Sequence, residues 1–349
     1  MTNKKQTDPL RVFVIGGTGF IGFHAVRALL ARGHLVTVLS RQAETAGILF
    51  AGHVSAVGGD LNALDADDWA LMLAGFDAVV FAAGVDERAT PKGKPEDFFY
   101  QANVLPTRAV LRGAEAAGVK RAVVVTSIFA WLHREKPELK LTEVHPYIRS
   151  RIQQEECALT ACQKTVLSIL QLPYVFGPAR SGQTPLWGPL IAYVRTPVMM
   201  MVTAGGANVM SVQSVADAIV GAVERPTRTA IYPIGDENLS WRDLLQRLCE
   251  RVGRPDQRIT EISSPVFRDL TRAGAFFKKL FGIQSGLDTG QLVKLLTQQI
   301  WYDPAPSQKA LGYKGGHLDD ALQATIDSCP ETAASRSWRK MWEWIVPGE

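Results

Sequence analysis

Long apolar runs are scarce in these 349 residues. The most apolar stretch, Leu186 to Val202, is interrupted by Gly188, Pro189, Arg195 and Pro197, so no membrane span is expected. Cysteine is sparse as well. The four present (Cys157, Cys162, Cys249 and Cys329) have neither metal-ligand nor redox spacing, which argues against a metal site and for free thiols in a reducing cytoplasm. Charge of one sign does not accumulate either. Lys and Arg number 38 against 34 Asp and Glu, a formal +4 scattered along the chain, and no basic stripe suggests a nucleic-acid partner. The polar start, MTNKKQTDP, runs straight into the first strand and reads as no signal peptide. Internal repeats and low-complexity segments are missing too. What is left, 46% apolar and 21% charged, is the composition of an ordinary globular chain, long enough for a large α/β core with a smaller lobe.

What is present is organised around RVFVIGGTGFIG, Arg11 to Gly22. Arg11 to Ile15 reads as a short buried strand, glycines follow at 16, 17, 19 and 22, and an apolar-periodic helix begins at once. A strand, a Gly-rich turn and a helix N-terminus together hold a pyrophosphate on backbone N–H groups. Gly16 would make the tight turn, Gly19 would admit the phosphates, and Gly22 would let helix and strand touch. Thr18, Phe20 and Ile21 complete this candidate cofactor loop.

The helix from Phe20 to Arg32 stops at Gly33, and a second strand, Leu35 to Leu39, ends in Ser40-Arg41. An acid at this strand end grips ribose hydroxyls, whereas a small polar residue and an arginine suit a 2′-phosphate. The pair therefore points to NADP rather than NAD. A third strand, His53 to Val57, leads to Asp60-Leu61, with Asp60 placed either for an adenine amino group or to cap the next turn. After a helix at Asp67 to Leu73, a fourth strand, Asp77 to Phe81, opens onto Ala82-Ala83-Gly84, small enough for a cofactor to pass over. One helix is expected from Pro95 to Ala117, with Asn103 in its middle as a candidate buried hydrogen-bonding group. The fifth strand, Arg121 to Val125, gives way to Thr126-Ser127 and a charged, Pro-containing loop. A helix follows from Tyr147 to Thr160, then a sixth strand, Thr165 to Leu170, and the segment Pro173 to Pro178.

Six strands alternating with helices imply a doubly wound parallel sheet with helices on both faces and a smaller C-terminal substrate lobe. The expected core is 10–178, with 211–235 returning to its sheet, and the lobe is 179–210 plus 236–349. Within the lobe, Ser240 should cap a helix from Trp241 to Val252. Pro265 to Ile283 is amphipathic and expected to wall a pocket or pack on the lobe, with a surface helix touching lipid as the alternative. Trp338, Met341, Trp342 and Ile345 form one stripe of a last helix.

With these residues in view, the chain resembles an extended short-chain dehydrogenase/reductase of the NAD(P)-dependent epimerase/dehydratase type, over roughly Leu10 to Ile326. GGTGFIG resembles the family's cofactor loop, Gly59-Asp60-Leu61 its adenine-side acid, and Tyr100-Gln101-Ala102-Asn103-Val104 its Asn helix. Pro173 to Pro178, Tyr232 to Gly235 and Ala310 to Tyr313 are similar to its later segments. The resemblance implies cofactor contacts from Pro173 and Val175, and a catalytic Tyr–Lys pair four positions apart on one helix face. Here the pair is Tyr147 and Arg151, so the lysine is replaced by a forked, permanently charged guanidinium. Ser127 stands near the family's serine position, Ile128 where a second serine often follows, and Gln171 where an arginine often stands.

The resemblance implies an NADP-dependent reductase or dehydrogenase moving hydride between nicotinamide and a carbonyl/alcohol pair. In that reading Tyr147 is general acid or base, Arg151 biases its pKa, and Ser127, with Thr126, holds the oxyanion. The Met- and Phe-rich lobe points to a partly hydrophobic small-molecule substrate. Two alternatives stay open: a nucleotide-sugar epimerase or dehydratase, and a catalytically impaired NADP-binding sensor or scaffold. Relatives often dimerise through the helices flanking Asn103 and Tyr147, so a homodimer is a further expectation.

Overall fold

Strand β1 (Arg11–Ile15) buries both of its faces: Val12 and Val14 pack to one side, Phe13 and Ile15 to the other, all at most 1% exposed. A strand covered on both faces belongs in the middle of a parallel sheet. Residues 8–89, 93–196, 199–263, 265–266 and 294–330 are described, in a computed structural model. The amphipathic stretch Pro265 to Ile283, but for its first two residues, and the Trp338 to Ile345 stripe lie outside them.

From β1 the chain runs through α1 (Phe20–Ala31), β2 (Leu35–Ser40), α2 (Ala43–Leu49), β3 (Ser55–Gly58), α3 (Ala66–Met72) and β4 (Ala78–Phe81). Next come α4 (Pro95–Phe99), a π turn (Tyr100–Val104), α5 (Leu105–Ala116), β5 (Arg121–Ser127), α6 (Ile128–Glu135), α7 (Leu141–Val144), α8 (Pro146–Ala161) and β6 (Val166–Leu172). Beyond them lie β7 (Tyr174–Phe176), α9 (Gly188–Arg195), β8 (Met200–Val202), β9 (Gly206–Ser211), α10 (Val212–Glu224) and β10 (Ala230–Pro233). The remaining elements are β11 (Glu237–Ser240), α11 (Trp241–Arg251), β12 (Ile259–Glu261), β13 (Gln299–Ile300), α12 (Ala305–Leu311) and α13 (Leu318–Asp327).

Seven strands form one parallel sheet in the order β10-β6-β5-β4-β1-β2-β3. This is the doubly wound, Rossmann-like fold expected from the alternation of elements. The order reverses between β1 and β4, the switch point where ligands sit outside the strand C-terminal ends. Two apolar layers cover the sheet. Ala25, Val26 and Leu29 of α1 join Val215, Ala218 and Ile219 of α10 on the β1 side facing Val12 and Val14. Trp69 of α3 and Val110, Leu111 and Ala114 of α5 cover Phe13 and Ile15. In the lobe, β9 pairs with β7, β11 and β13, and the Ser240 hydroxyl caps α11 by accepting from Asp243 N.

Four local expectations are revised. The charged segment after β5 is a helix, α6, because Ser127 ends the strand and also accepts from Phe129 N as its N-cap. Its buried Ile128, Phe129, Ala130 and Leu132 then supply the core face that draws it in. Helix α2 was not legible as a separate element. The long helix from Pro95 is interrupted by the π turn around Asn103. Finally, β6 extends to Leu172, β3 begins at Ser55, and Tyr174–Phe176 forms a further strand that pairs with β9.

Helices α3 and α5 meet backbone to backbone at Gly113, where an added Cβ would lie 2.3 Å from Trp69 Cβ and 2.8 Å from Ala66 O. A methyl there forces the helices apart. Gly113→Ala should cost about 1–3 kcal/mol of unfolding free energy, measured by urea titration. An unchanged midpoint would show that the crossing yields freely.

Candidate active site

Gly16 has φ +84°, and a Cβ on it would lie 2.6 Å from Ala82 O, while a Cβ on Gly22 would lie 2.1 Å from Gly16 O. Strand, turn and helix therefore touch through glycine alone. Helix α1 has Gly19 as its N-cap, no side-chain cap and no acidic residue in its first turn. Its first amides and the positive end of its dipole are left for an anion. A pyrophosphate fits this cradle, so the residues present suit a dinucleotide.

A cleft of about 340 Å³ beside the cradle gathers Gly16, Thr18, Ser40, Arg41, Asp60, Leu61, Ala83 and Gly84. Ser40 Oγ accepts from Gln42 N and donates to Gln42 O, and Asp60 Oδ1 accepts from Asn62 N at 3.0 Å. Arg41 is exposed and has no ion pair among the described residues. A second cleft, about 390 Å³, continues from Ala83 and Gly84 and is lined by Gly19, Phe20, Ile21, Ala82, Thr126, Ser127, Tyr147, Arg151, Pro173 and Val175. The two clefts thus bring together every candidate read from the sequence except Gly22 and Asn103, which stand behind them.

Asn103 is fully buried on the π turn. Its Oδ1 accepts from Val85 N at 2.9 Å and its Nδ2 donates to Ser150 Oγ at 3.1 Å. Ser150 in turn donates to Tyr147 O, holding the first turn of α8. Arg151 Nη2 donates to Val85 O and Nη1 to Gln154 Oε1, each at 2.8 Å, while Gln154 Nε2 donates to Thr107 Oγ1. The terminal nitrogens are therefore spent on the protein, whereas Nε is buried without a partner. The guanidinium carbon lies 5.2 Å from the Tyr147 ring centroid, a cation–π contact.

Tyr147 is 3% exposed, and Phe99 and Phe129 meet its ring edge-on. Burial raises its pKa above the ordinary phenol value, and Glu87 and Asp86 add to the rise. Arg151 and the nearby Ser127 hydroxyl oppose it. The phenol is protonated at neutral pH, the state that can give a proton to a carbonyl. Thr126 donates its hydroxyl proton to Glu155 Oε1 at 2.8 Å, which leaves Ser127 as the hydroxyl beside Tyr147.

Sequence reading missed much of the second cleft's far wall: Asp86, Glu87 and Arg88 after β4, Tyr174 of β7, then Gln183 and Trp187. The available signal was the Asp-Glu-Arg run one residue beyond the small residues Ala82 to Gly84. Among the described residues lining this cleft, the cations are Arg88 and Arg151, both engaged: Arg88 pairs with Asp86 and stacks on the Trp187 indole at 5.3 Å.

His145, the residue before α8, is buried beside Tyr147, and burial lowers its pKa to about 4. The folded protein thus favours neutral imidazole. Its contribution is complete above the unfolded value, near 6.5, and is lost as pH falls towards 4. His145→Leu should flatten the stability profile across that interval by up to about 3 kcal/mol, read from urea unfolding at successive pH values. A profile identical to wild type would remove His145 from this role.

The family model described as NAD dependent epimerase/dehydratase family matches residues 12–235. Sterol-4-alpha-carboxylate 3-dehydrogenase, decarboxylating, of Homo sapiens is 28% identical over 346 residues, covering 93% of this chain and 89% of the relative. A Stigmatella aurantiaca ketoreductase, named for 4-hydroxy-2-methyl-3-oxo-4-farnesyl-3,4-dihydroquinoline-1-oxide, is 27% identical over 320 residues, 88% of this chain and 92% of that one. Among solved structures, gox2253 shares the fold, with TM-score 0.74 and 22% identity over 91% of this chain and 97% of its own.

Proposed function

We propose that this chain, which belongs to the NAD dependent epimerase/dehydratase family, is an NADP-dependent reductase of partly hydrophobic ketones. The observation that carries the reading is a protonated tyrosine, Tyr147, in an aromatic cavity beside the cofactor cradle. When bound, the reduced nicotinamide supplies the hydride. The chain's own part is to place the carbonyl oxygen between the Tyr147 phenol and the Ser127 hydroxyl, and to give it the phenol's proton as the alcohol forms. The phenolate left behind is stabilised by the Arg151 charge over the ring and by Ser127.

Phe20, Phe129, Tyr174 and Trp187 suit an apolar body. The two arginines of this cleft are already held by protein acceptors, which disfavours an anionic substrate here. The relatives whose names carry a sterol and a farnesyl group are in keeping with such a body. Arg151, tied into the protein, also favours a second reading, a protein that binds NADP without turning over.

Tyr147→Phe should lower kcat/KM on a ketone panel by about 10²- to 10⁴-fold while NADPH still binds. NADPH binding by the wild type with no turnover of any ketone would favour the second reading. Undiminished turnover by the variant would remove Tyr147 from the acid role.

Arg41→Ala should weaken NADP(H) by about 10- to 100-fold and NAD(H) by no more than about threefold, in fluorescence titrations. Equal losses for both nucleotides would show that Arg41 does not read a 2′-phosphate.

A further inference from the structure

Three polar groups in the second cleft lack side-chain partners. Arg88 Nε and Gln183 Oε1 are buried and make no hydrogen bond, and both residues line the cleft. Glu87 lines it too, and its carboxyl has no ion pair among the described residues because Asp86 takes the contact with Arg88. The carboxyl feels the charges of Arg88 and Arg151 and meets its own backbone N–H, but no side chain donates a hydrogen bond to it among the described residues. Orphaned buried polar atoms are rare, since each forfeits hydration without return. Here two of them, with a carboxyl that no side chain hydrogen-bonds, share one cavity with Tyr147. Arg88 is not loose: Asp86 holds its Nη2 and the Trp187 indole holds its plane, so the position of Nε is fixed by its surroundings.

We propose that Glu87, Arg88 and Gln183 form a second subsite of the reaction cavity, which holds an alcohol hydroxyl of the substrate while its carbonyl faces Tyr147. The inference rests on the ketone-reductase reading. The donor count selects the ligand. Glu87 and Gln183 Oε1 accept and Arg88 Nε donates, and a hydroxyl is the small neutral group that both donates and accepts. A carboxylate or phosphate would meet Glu87 with Asp86 close behind, and the cleft's two arginines are already engaged. A bare hydrocarbon would leave all three groups unpaired. The substrate class is therefore a hydroxyketone on an apolar or aromatic body, the body lying against Trp187 and Tyr174.

The test uses two matched pairs, benzoin against deoxybenzoin and β-hydroxybutyrophenone against butyrophenone, with NADPH and the full chain. In at least one pair the wild type should prefer the hydroxylated ketone by about 10- to 100-fold in kcat/KM. In Glu87→Ala and Gln183→Ala that ratio should fall to within about threefold of unity, with Glu87→Gln keeping part of it. Thermal unfolding establishes that each variant is folded. The same pairs are titrated calorimetrically into the NADPH complex, a readout independent of turnover. A binding preference for the hydroxylated partner that Glu87→Ala abolishes, without turnover, would overturn the reductase reading and uphold the subsite. Equal handling of both partners by the wild type, or a preference that survives both alanine variants, would overturn the subsite whatever the turnover.

Discussion

Arg151 is permanently charged yet only 8% exposed, so its N–H groups must find acceptors inside the protein. Val85 O is one of them, and it comes within reach only because Asn103 holds Val85 N from the other side. For Asn103 to do so, its helix gives up regular α geometry for a π turn, a device that recurs at functional sites. Gln154 is the second acceptor, and its amide is oriented by Thr107, which itself donates to Asn103 O. The circuit closes from α8 through α5 back to the π turn, with Arg151 Nε left buried and unpartnered. A lysine could not close the circuit in the same way, having a single ammonium where the fork reaches two acceptors at once.

That circuit decides what the cavity offers. The guanidinium contributes its charge through the Tyr147 ring while each terminal nitrogen holds one protein acceptor. Burial, the larger influence, keeps the phenol protonated. Arg88 is likewise neutralised by Asp86. The result is a cavity with charge close to balance, aromatic walls and hydroxyl or carboxyl groups at its ends, better matched to a neutral oxygenated molecule than to an anion.

The sheet was legible because its signals are local. A buried strand, a glycine turn and an apolar-periodic helix recur in register, and β1 through β6 follow from them. The cradle was legible for the same reason, since Gly16 and Gly22 answer to steric demands set by a few neighbouring atoms. The far wall of the cavity was not. Glu87, Tyr174, Gln183 and Trp187 come from separate loops and elements, brought together only in the folded chain. The helix α6 was hidden by its flanks: a charged, Pro-containing segment reads as loop, and only the burial of Phe129 and Leu132 reverses that. The π turn leaves no periodic trace, because one widened turn shifts an apolar stripe too little to be seen. Asn103 in mid-helix was its single sign.

Gln171 shows how one departure from the resembled family's pattern is absorbed by another element. An arginine is frequent at this position in that family; here a neutral amide donates at 2.8 Å to Glu155 Oε1. Glu155, 1% exposed, still needs a cation, and Arg134 of α6 supplies it at 2.9 Å. The cation that pairs with Glu155 thus sits at a half-exposed site on a helix, where its desolvation costs less. Thr126 completes the shell of Glu155 and is thereby withdrawn from the substrate side. Helix α8 ties these groups together, carrying Tyr147, Arg151 and Glu155 at successive four-residue intervals along one face.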